Sequence, residues 1–191
     1  MVDSVRVIAV PGSLRRGSYN RALLREARRL APAGMEIEIF DLHEVPLYDG
    51  DVEARGDPEA VRRLKAAVQQ ADAVLIATPE YNAGTSGVLK NTLDWLSRPP
   101  RQSLLGGKPV AVIGGGAGRG TRRAQAQVRA ALAHPRAALV DGPEVALLWV
   151  WDRMDGDGRL VDPEAGSSLG VLLERLAAEA LEHRSRELVA A

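Results

Sequence analysis

From Gly12 to Asn20 the chain reads Gly-Ser-Leu-Arg-Arg-Gly-Ser-Tyr-Asn. Two glycines bracket two arginines, and Ser13, Ser18 and Asn20 supply side-chain hydrogen-bonding groups. The stretch follows an apolar run, Val5 to Val10, and precedes an amphipathic one, Arg21 to Leu30. A strand, a polar loop and a helix start together make an anion-binding device. Unpaired N–H groups at a helix N-terminus point outward, and the helix dipole favours negative charge there. Arg15 and Arg16 add planar cationic forks suited to phosphate. The spacing matches neither the P-loop nor the G-x-G-x-x-G dinucleotide pattern.

Two further stretches have residue types that suit a ligand. Pro79-Glu80-Tyr81-Asn82 combines backbone donors with an aromatic ring, and Gly114-Gly115-Gly116-Ala117-Gly118-Arg119-Gly120 lets another group approach the backbone closely. No catalytic dyad and no metal-ligand set stands out. His43, His134 and His183 are scattered, and His43 reads as a surface residue. Glu80 reads as the ion-pair partner of an arginine, within the chain or across subunits. Lys90 and Asp94, four apart, read as an intrahelical pair.

These loops need elements to position them. Val5–Val10, Met35–Phe40, Ala73–Ala77 and Pro109–Ile113 are short apolar or alternating runs that predict strands. Ala137–Val140 and Val145–Trp151 predict a fifth strand region. Residues 19–30, 57–70, 87–97 and 121–133 predict helices, and Asp162-Pro163-Glu164 opens a last one. Residues 41–56 read as a polar loop, and Asp155-Gly156-Asp157-Gly158 as the turn of a small hairpin. Strands and helices alternate, which predicts an α/β fold: a doubly wound, five-stranded parallel sheet with helices on both faces, in one domain spanning 1–191. The three candidate loops follow strands one, three and four. All three therefore lie at the carboxyl ends of the strands, where such sheets bind ligands.

Composition narrows the class. The 191 residues are 46% hydrophobic and 26% charged, as in a soluble globular chain. Twenty-five basic residues balance twenty-five acidic ones, so nothing global points to nucleic acid or a membrane surface. The absence of cysteine excludes thiol catalysis, disulfides and cysteine-ligated zinc or iron–sulfur centres. No run approaches the ~20 apolar residues of a membrane span, and no signal-peptide pattern opens the chain. A cytoplasmic location is the expectation. Locally, the first thirty residues hold seven Arg, residues 119–136 hold five Arg and no acid, and residues 141–191 are acidic. The basic patches fit an anionic small ligand.

With these loops in place, the chain resembles the NADPH-dependent FMN reductase family, a branch of the flavodoxin-like fold. The resemblance rests on Gly12-Ser13-Leu14-Arg15 with Ser18 and Asn20, and on Pro79-Glu80-Tyr81-Asn82 followed by Gly87-Val88-Leu89-Lys90-Asn91 and Asp94-Trp95. The glycine run after strand four matches more loosely. The resemblance implies a non-covalent FMN, NADPH or NADH as co-substrate, and a flavin, quinone, azo dye or metal oxyanion as acceptor. On it, Ser13, Arg15, Ser18 and Asn20 hold the phosphate, with Leu14 in the same binding stretch. Pro79, Glu80, Tyr81 and Asn82 edge the isoalloxazine ring, and Gly114, Gly115 and Gly116 flank its pyrimidine end. The N–H groups of those three glycines are also placed to stabilise the negative charge of reduced flavin.

Hydride transfer between stacked rings needs alignment more than an acid or base, which fits the lack of a catalytic dyad. The family often has proline before the glycine that opens the third helix. Here it is Ser86, which can cap that helix. Members are commonly dimers or dimers of dimers, which implies a homodimer or homotetramer in which Leu89 and Trp95 face a second subunit. An electron carrier like flavodoxin is the alternative, but such carriers are strongly acidic and shield the flavin with aromatics. This chain is neutral and 4% aromatic.

Overall fold

A computed structural model describes residues 4–190. Its strands are β1 (Val5–Pro11), β2 (Met35–Ile39), β3 (Ala73–Ala77), β4 (Pro109–Gly115), β5 (Ala138–Leu139) and β6 (Ala146–Leu147). Its helices are α1 (Tyr19–Arg29), α2 (Gly50–Glu53), α3 (Glu59–Gln70), α4 (Gly87–Leu96), α5 (Arg122–Ala133) and α6 (Pro163–Ala190). The strands are all parallel in the order β2-β1-β3-β4-β5, the flavodoxin-like arrangement, and β6 also pairs with β4.

The predicted fifth strand is therefore two short pieces along one neighbour. Ala138–Leu139 lies beside Pro109–Val110, and Ala146–Leu147 lies beside Gly114–Gly115. Asp141-Gly142-Pro143-Glu144 stands between them. Pro143 has no N–H to give a ladder, so the strand breaks there. Two other details differ from the sequence reading. The four-residue α2 forms inside the segment expected to be a loop, with the Asp49 carboxylate accepting from the Asp51 N–H (2.8 Å). β4 runs two residues further than expected, so Gly114 and Gly115 are strand residues. The hairpin at Asp155–Gly158 is present, with Met154 and Leu160 bridging antiparallel.

Alternation along the strands splits the core between two faces. Val5, Val7 and Ala9 of β1 pack with Leu23, Leu24 and Ala27 of α1 and Leu169, Leu173 and Leu176 of α6. Ile8 and Val10 face the other way, toward Leu64 of α3, Leu89 and Leu93 of α4 and Val128 of α5. The register then levels the strand ends: Pro11 lies beside Ala77, and Ala77 beside Ile113. Two bonds extend the ladder by one step, Gly12 N–H to Ala77 O (2.8 Å) and Thr78 N–H to Ile113 O (2.9 Å). The loops after β1, β3 and β4 thus leave the sheet at one height.

The long α6 is capped by Asp162, whose carboxylate accepts from the Ala165 N–H (3.0 Å) and pairs with Arg153. That cap, with Arg153 beside it, holds the mostly buried Asp162 carboxyl below the ordinary carboxylate range against the opposing effect of burial. A depressed carboxyl adds stability that is fully present above its unfolded value, about 3.9, and fades as pH falls through the folded value. Asp162→Ala is expected to cost about 1 kcal/mol at neutral pH, or roughly 2–4 °C in a melting experiment. The gap from wild type should close as pH drops below about 4.

Candidate functional site

The loop after β1 is an open row of donors. Ser18 caps α1, its hydroxyl accepting from the Arg21 N–H (3.2 Å), and Ser13 Oγ accepts from the Arg15 N–H (3.4 Å). Both hydroxyls keep their own proton to donate. The N–H groups of Leu14, Arg16, Gly17, Tyr19 and Asn20 have no partner among the described residues. The Arg15 guanidinium folds back over this row, donating to Gly17 O (2.8 Å) and lying 5.7 Å from the centre of the Tyr19 ring. Convergent N–H groups at a helix N-terminus, buried hydroxyls and a tethered guanidinium fit a phosphate dianion.

Asn20 does something else. Its side chain is buried, and both amide atoms bond the backbone of Gly115: Nδ2 donates to the carbonyl and Oδ1 accepts from the N–H, each at 2.9 Å. Asn20 is therefore a tie between the start of α1 and the end of β4. Its backbone N–H is what it offers to an anion.

The glycines at the end of β4 are a second departure. Gly114 N–H donates to Val145 O (2.8 Å), Gly115 N–H to Asn20 Oδ1 (2.9 Å) and Gly116 N–H to Leu147 O (3.0 Å). None of the three is free to stabilise charge on a ligand, because the late pairing with β6 and the Asn20 tie take them. Their lack of side chains has a packing cause. A Cβ on Gly114 would sit inside 3.0 Å of Thr121 Oγ1 and Thr78 O, and one on Gly115 would meet Val150 Cγ2 at 2.6 Å. Donors left without a described partner on this loop include the N–H groups of Ala117, Gly118 and Arg119, directly after the glycines.

The loop after β3 is a tight two-residue turn. Tyr81 and Gly84 exchange both backbone bonds at 2.9 Å, and Asn82 and Ala83 between them both have positive φ, 51° and 63°. That is the geometry of a type I′ turn. It presents the Tyr81 ring, 54% exposed, and the free N–H groups of Asn82 and Ala83 at the rim. The turn is held from behind by Thr85 N–H donating to Gln127 Oε1 (2.9 Å). Pro79 is buried beneath it.

Glu80, read from sequence as an ion-pair partner for arginine, instead accepts from the backbone N–H groups of Arg123 (3.0 Å) and Ala124 (3.3 Å). It caps α5, whose own N-cap residue Thr121 makes no side-chain cap bond. A carboxylate there complements the helix dipole. Among the described residues no guanidinium pairs with it, whereas Arg122 pairs with Glu144 (2.8 Å).

Ser86 does cap α4, accepting from the Leu89 N–H (3.2 Å), and it also donates to Gly12 O (2.6 Å), so it fastens the β3 loop to the β1 loop. Leu89 and Trp95, expected to face a second subunit, are fully buried in their own chain. Trp95 Nε1 and Asn91 Nδ2 both donate to Pro46 O (2.9 and 2.8 Å), and Asn91 Oδ1 accepts from the Tyr48 N–H (2.7 Å). The Asn91 and Trp95 pair thus pins the segment after β2. Lys90 and Asp94 form the expected exposed pair (2.5 Å). His43 is exposed on the same segment, with Nδ1 2.5 Å from Asp41 Oδ1, and this bond holds the Asp41 carboxyl below its usual range.

Residues 5–151 match the sequence profile of the NADPH-dependent FMN reductases. The chain belongs to the NADPH-dependent FMN reductase family. An NAD(P)H-dependent FMN reductase of Pseudomonas aeruginosa is 46% identical over 177 residues, covering 92% of this chain and 95% of that one. A 2-hydroxy-1,4-benzoquinone reductase of a Burkholderia species is 37% identical, over 95% of this chain and 99% of its own. Among solved structures, FerB of Paracoccus denitrificans, a flavoenzyme NAD(P)H:(acceptor) oxidoreductase, superposes with a TM-score of 0.83 at 32% identity, covering 94% of this chain and 98% of that one. Among the described residues of this family member, no helix is long and apolar enough to cross a membrane, and no cluster of acidic and imidazole groups is suited to a metal.

Proposed function

We propose that the chain is a single-domain NAD(P)H-dependent oxidoreductase that holds FMN without a covalent bond and reduces small acceptors, quinones first among them. The observation that carries this reading is the open donor row of the β1 loop, set level with the Tyr81 turn and the β4 loop. Relatives named as reductases favour an enzyme over an electron carrier.

The phosphate goes to the Ser13 and Ser18 hydroxyls, the free N–H groups from Leu14 to Asn20, and Arg15. The Pro79–Asn82 turn and the β4 loop would hold the ring. The N–H groups of Asn82, Ala83, Ala117, Gly118 and Arg119 would supply hydrogen-bond donors for its polar edge. FMN, when bound, passes the two electrons of a nicotinamide hydride on to the acceptor. In the net reaction NAD(P)H, one proton and a quinone give NAD(P)⁺ and a hydroquinone, with the proton drawn from solvent at this open rim. The chain's own contribution is positioning, and neither an acid nor a base is needed. Arg16 and Arg119, both exposed beside the loops, suit a 2′-phosphate. The protein acts as a homodimer or homotetramer, with Leu47, 82% exposed on the segment pinned by α4, in the contact.

Steady-state oxidation of NADH and NADPH by the FMN-loaded protein, across a panel of quinones, flavins and azo dyes, tests the reading. Turnover without a partner reductase is expected. A protein that takes up FMN yet oxidises neither nicotinamide contradicts it.

A further inference from the structure

Among the described residues three aromatic rings are exposed: Tyr81 (54%), Trp149 (50%) and Trp151 (42%). All three stand at the carboxyl rim, Tyr81 after β3 and the two tryptophans directly after β6. In the sequence the tryptophans sit inside an apolar run that predicts a strand. In the structure the run leaves the sheet after Leu147, and Trp149 takes a left-handed backbone, φ 47° and ψ 54°. A bulky side chain seldom adopts that conformation, and such outliers concentrate at functional sites.

The turn sends the Trp149 indole over Gly118, in the loop that supplies the free β4 donors. A Cβ at Gly118 would come within 3.0 Å of three atoms of the indole ring system, so the glycine and the tryptophan are fitted to each other. Trp151 meets Trp149 edge to face (centroids 5.3 Å, 70°), and Tyr19 lies 6.5 Å beyond Trp151. Arg15 closes the row at 5.7 Å from Tyr19. An aromatic ledge therefore runs from the β4 loop to the phosphate loop, with Tyr81 on the other lip of the rim. Neither exposed indole N–H has a partner among the described residues, in contrast to Trp95.

We propose that Trp149 and Trp151 form a stacking ledge for the electron acceptor and make this enzyme select flat, fused-ring quinones over one-ring quinones and inorganic oxyanions. The proposal rests on the FMN reductase reading above. A fused second ring adds aromatic area that lies against the indoles in offset or edge-to-face contact, and a quinone carbonyl gives an indole N–H an acceptor. An oxyanion uses neither. The net reaction is the balanced two-electron, two-proton reduction of quinone to hydroquinone, with NAD(P)H as reductant.

The test compares wild type, Trp149→Ala, Trp149→Phe and Trp151→Ala, all FMN-loaded. The ratio of kcat/KM for a naphthoquinone to that for a benzoquinone is expected to fall about tenfold in Trp149→Ala, less in Trp151→Ala, and to be largely kept in Trp149→Phe. A second readout needs no turnover. Naphthoquinone titrated into the oxidised protein without nicotinamide should quench indole emission in wild type, with weaker apparent affinity in Trp149→Ala. An unchanged ratio and unchanged quinone affinity, in variants that still bind FMN and oxidise nicotinamide, overturn the ledge and leave the reductase reading standing. A change of oligomeric state in Trp149→Ala with no change in ratio assigns the tryptophans to a subunit contact and also overturns it. Failure of wild type to take up FMN overturns the reading beneath and the ledge with it.

Discussion

Replacing Asn20 by alanine is expected to lower the stability of the chain by about 2–6 kcal/mol, a melting shift of roughly 5–25 °C. The cause is local and can be followed atom by atom. The Asn20 amide satisfies both the N–H and the C=O of Gly115 at 2.9 Å, and its side chain is only 4% exposed. Alanine removes both partners and leaves two buried backbone groups without them, at about 1–3 kcal/mol each. The damage should extend to function, because the same tie sets the start of α1 against the end of β4. FMN affinity is expected to fall with stability, although the lost side chain gives its own bonds to protein and not to ligand. Thermal unfolding by circular dichroism, with and without FMN, checks this. An unchanged melting temperature would show that the Gly115 groups find other partners.

Gly114→Ala is the second large effect, with an expected loss of about 3 kcal/mol. A Cβ at this position would lie inside 3.0 Å of two oxygens at once, Thr121 Oγ1 and Thr78 O. Thr121 is fully buried, and its Oγ1 accepts from Gln125 Nε2 (3.1 Å), so turning it aside costs that bond. The Thr78 carbonyl is backbone at the end of β3 and cannot rotate away. The strain must then separate β3 from β4 where the two rim loops begin. Chemical denaturation should show a lower midpoint at nearly constant slope. By contrast, a Cβ added at Gly17 or Gly87 would meet nothing within 4 Å, so both positions should take alanine with little change from crowding.

The strands were legible in the sequence because their residues are apolar in runs of strand length, and the helices because Leu23, Leu24 and Ala27, or Leu169, Leu173 and Leu176, recur at helical spacing. The rim was legible too, since loops after parallel strands share one edge by topology. What could not be read depends on partners far away in the chain. Asn20 and Gly115 are 95 residues apart, so the tie that occupies Asn20 leaves no local pattern. Gly114 and Gly115 look like loop because glycine is a poor strand former, and only pairing with Ala146–Leu147 makes them strand. Glu80 caps a helix that starts 42 residues later. Trp149 and Trp151 read as strand residues. The run leaves the sheet at the left-handed backbone of Trp149, which no residue type nearby announces.

Titrating FMN and riboflavin in parallel into the purified chain measures most directly whether the β1 loop is a phosphate cradle. The two ligands share the ring and differ in the phosphate alone. FMN is expected to bind one to one and about 100-fold tighter than riboflavin, and Arg15→Ala should narrow that ratio roughly tenfold. Equal affinities for the two, or no uptake of either, would contradict the assignment of the Gly12–Asn20 loop and the function built on it.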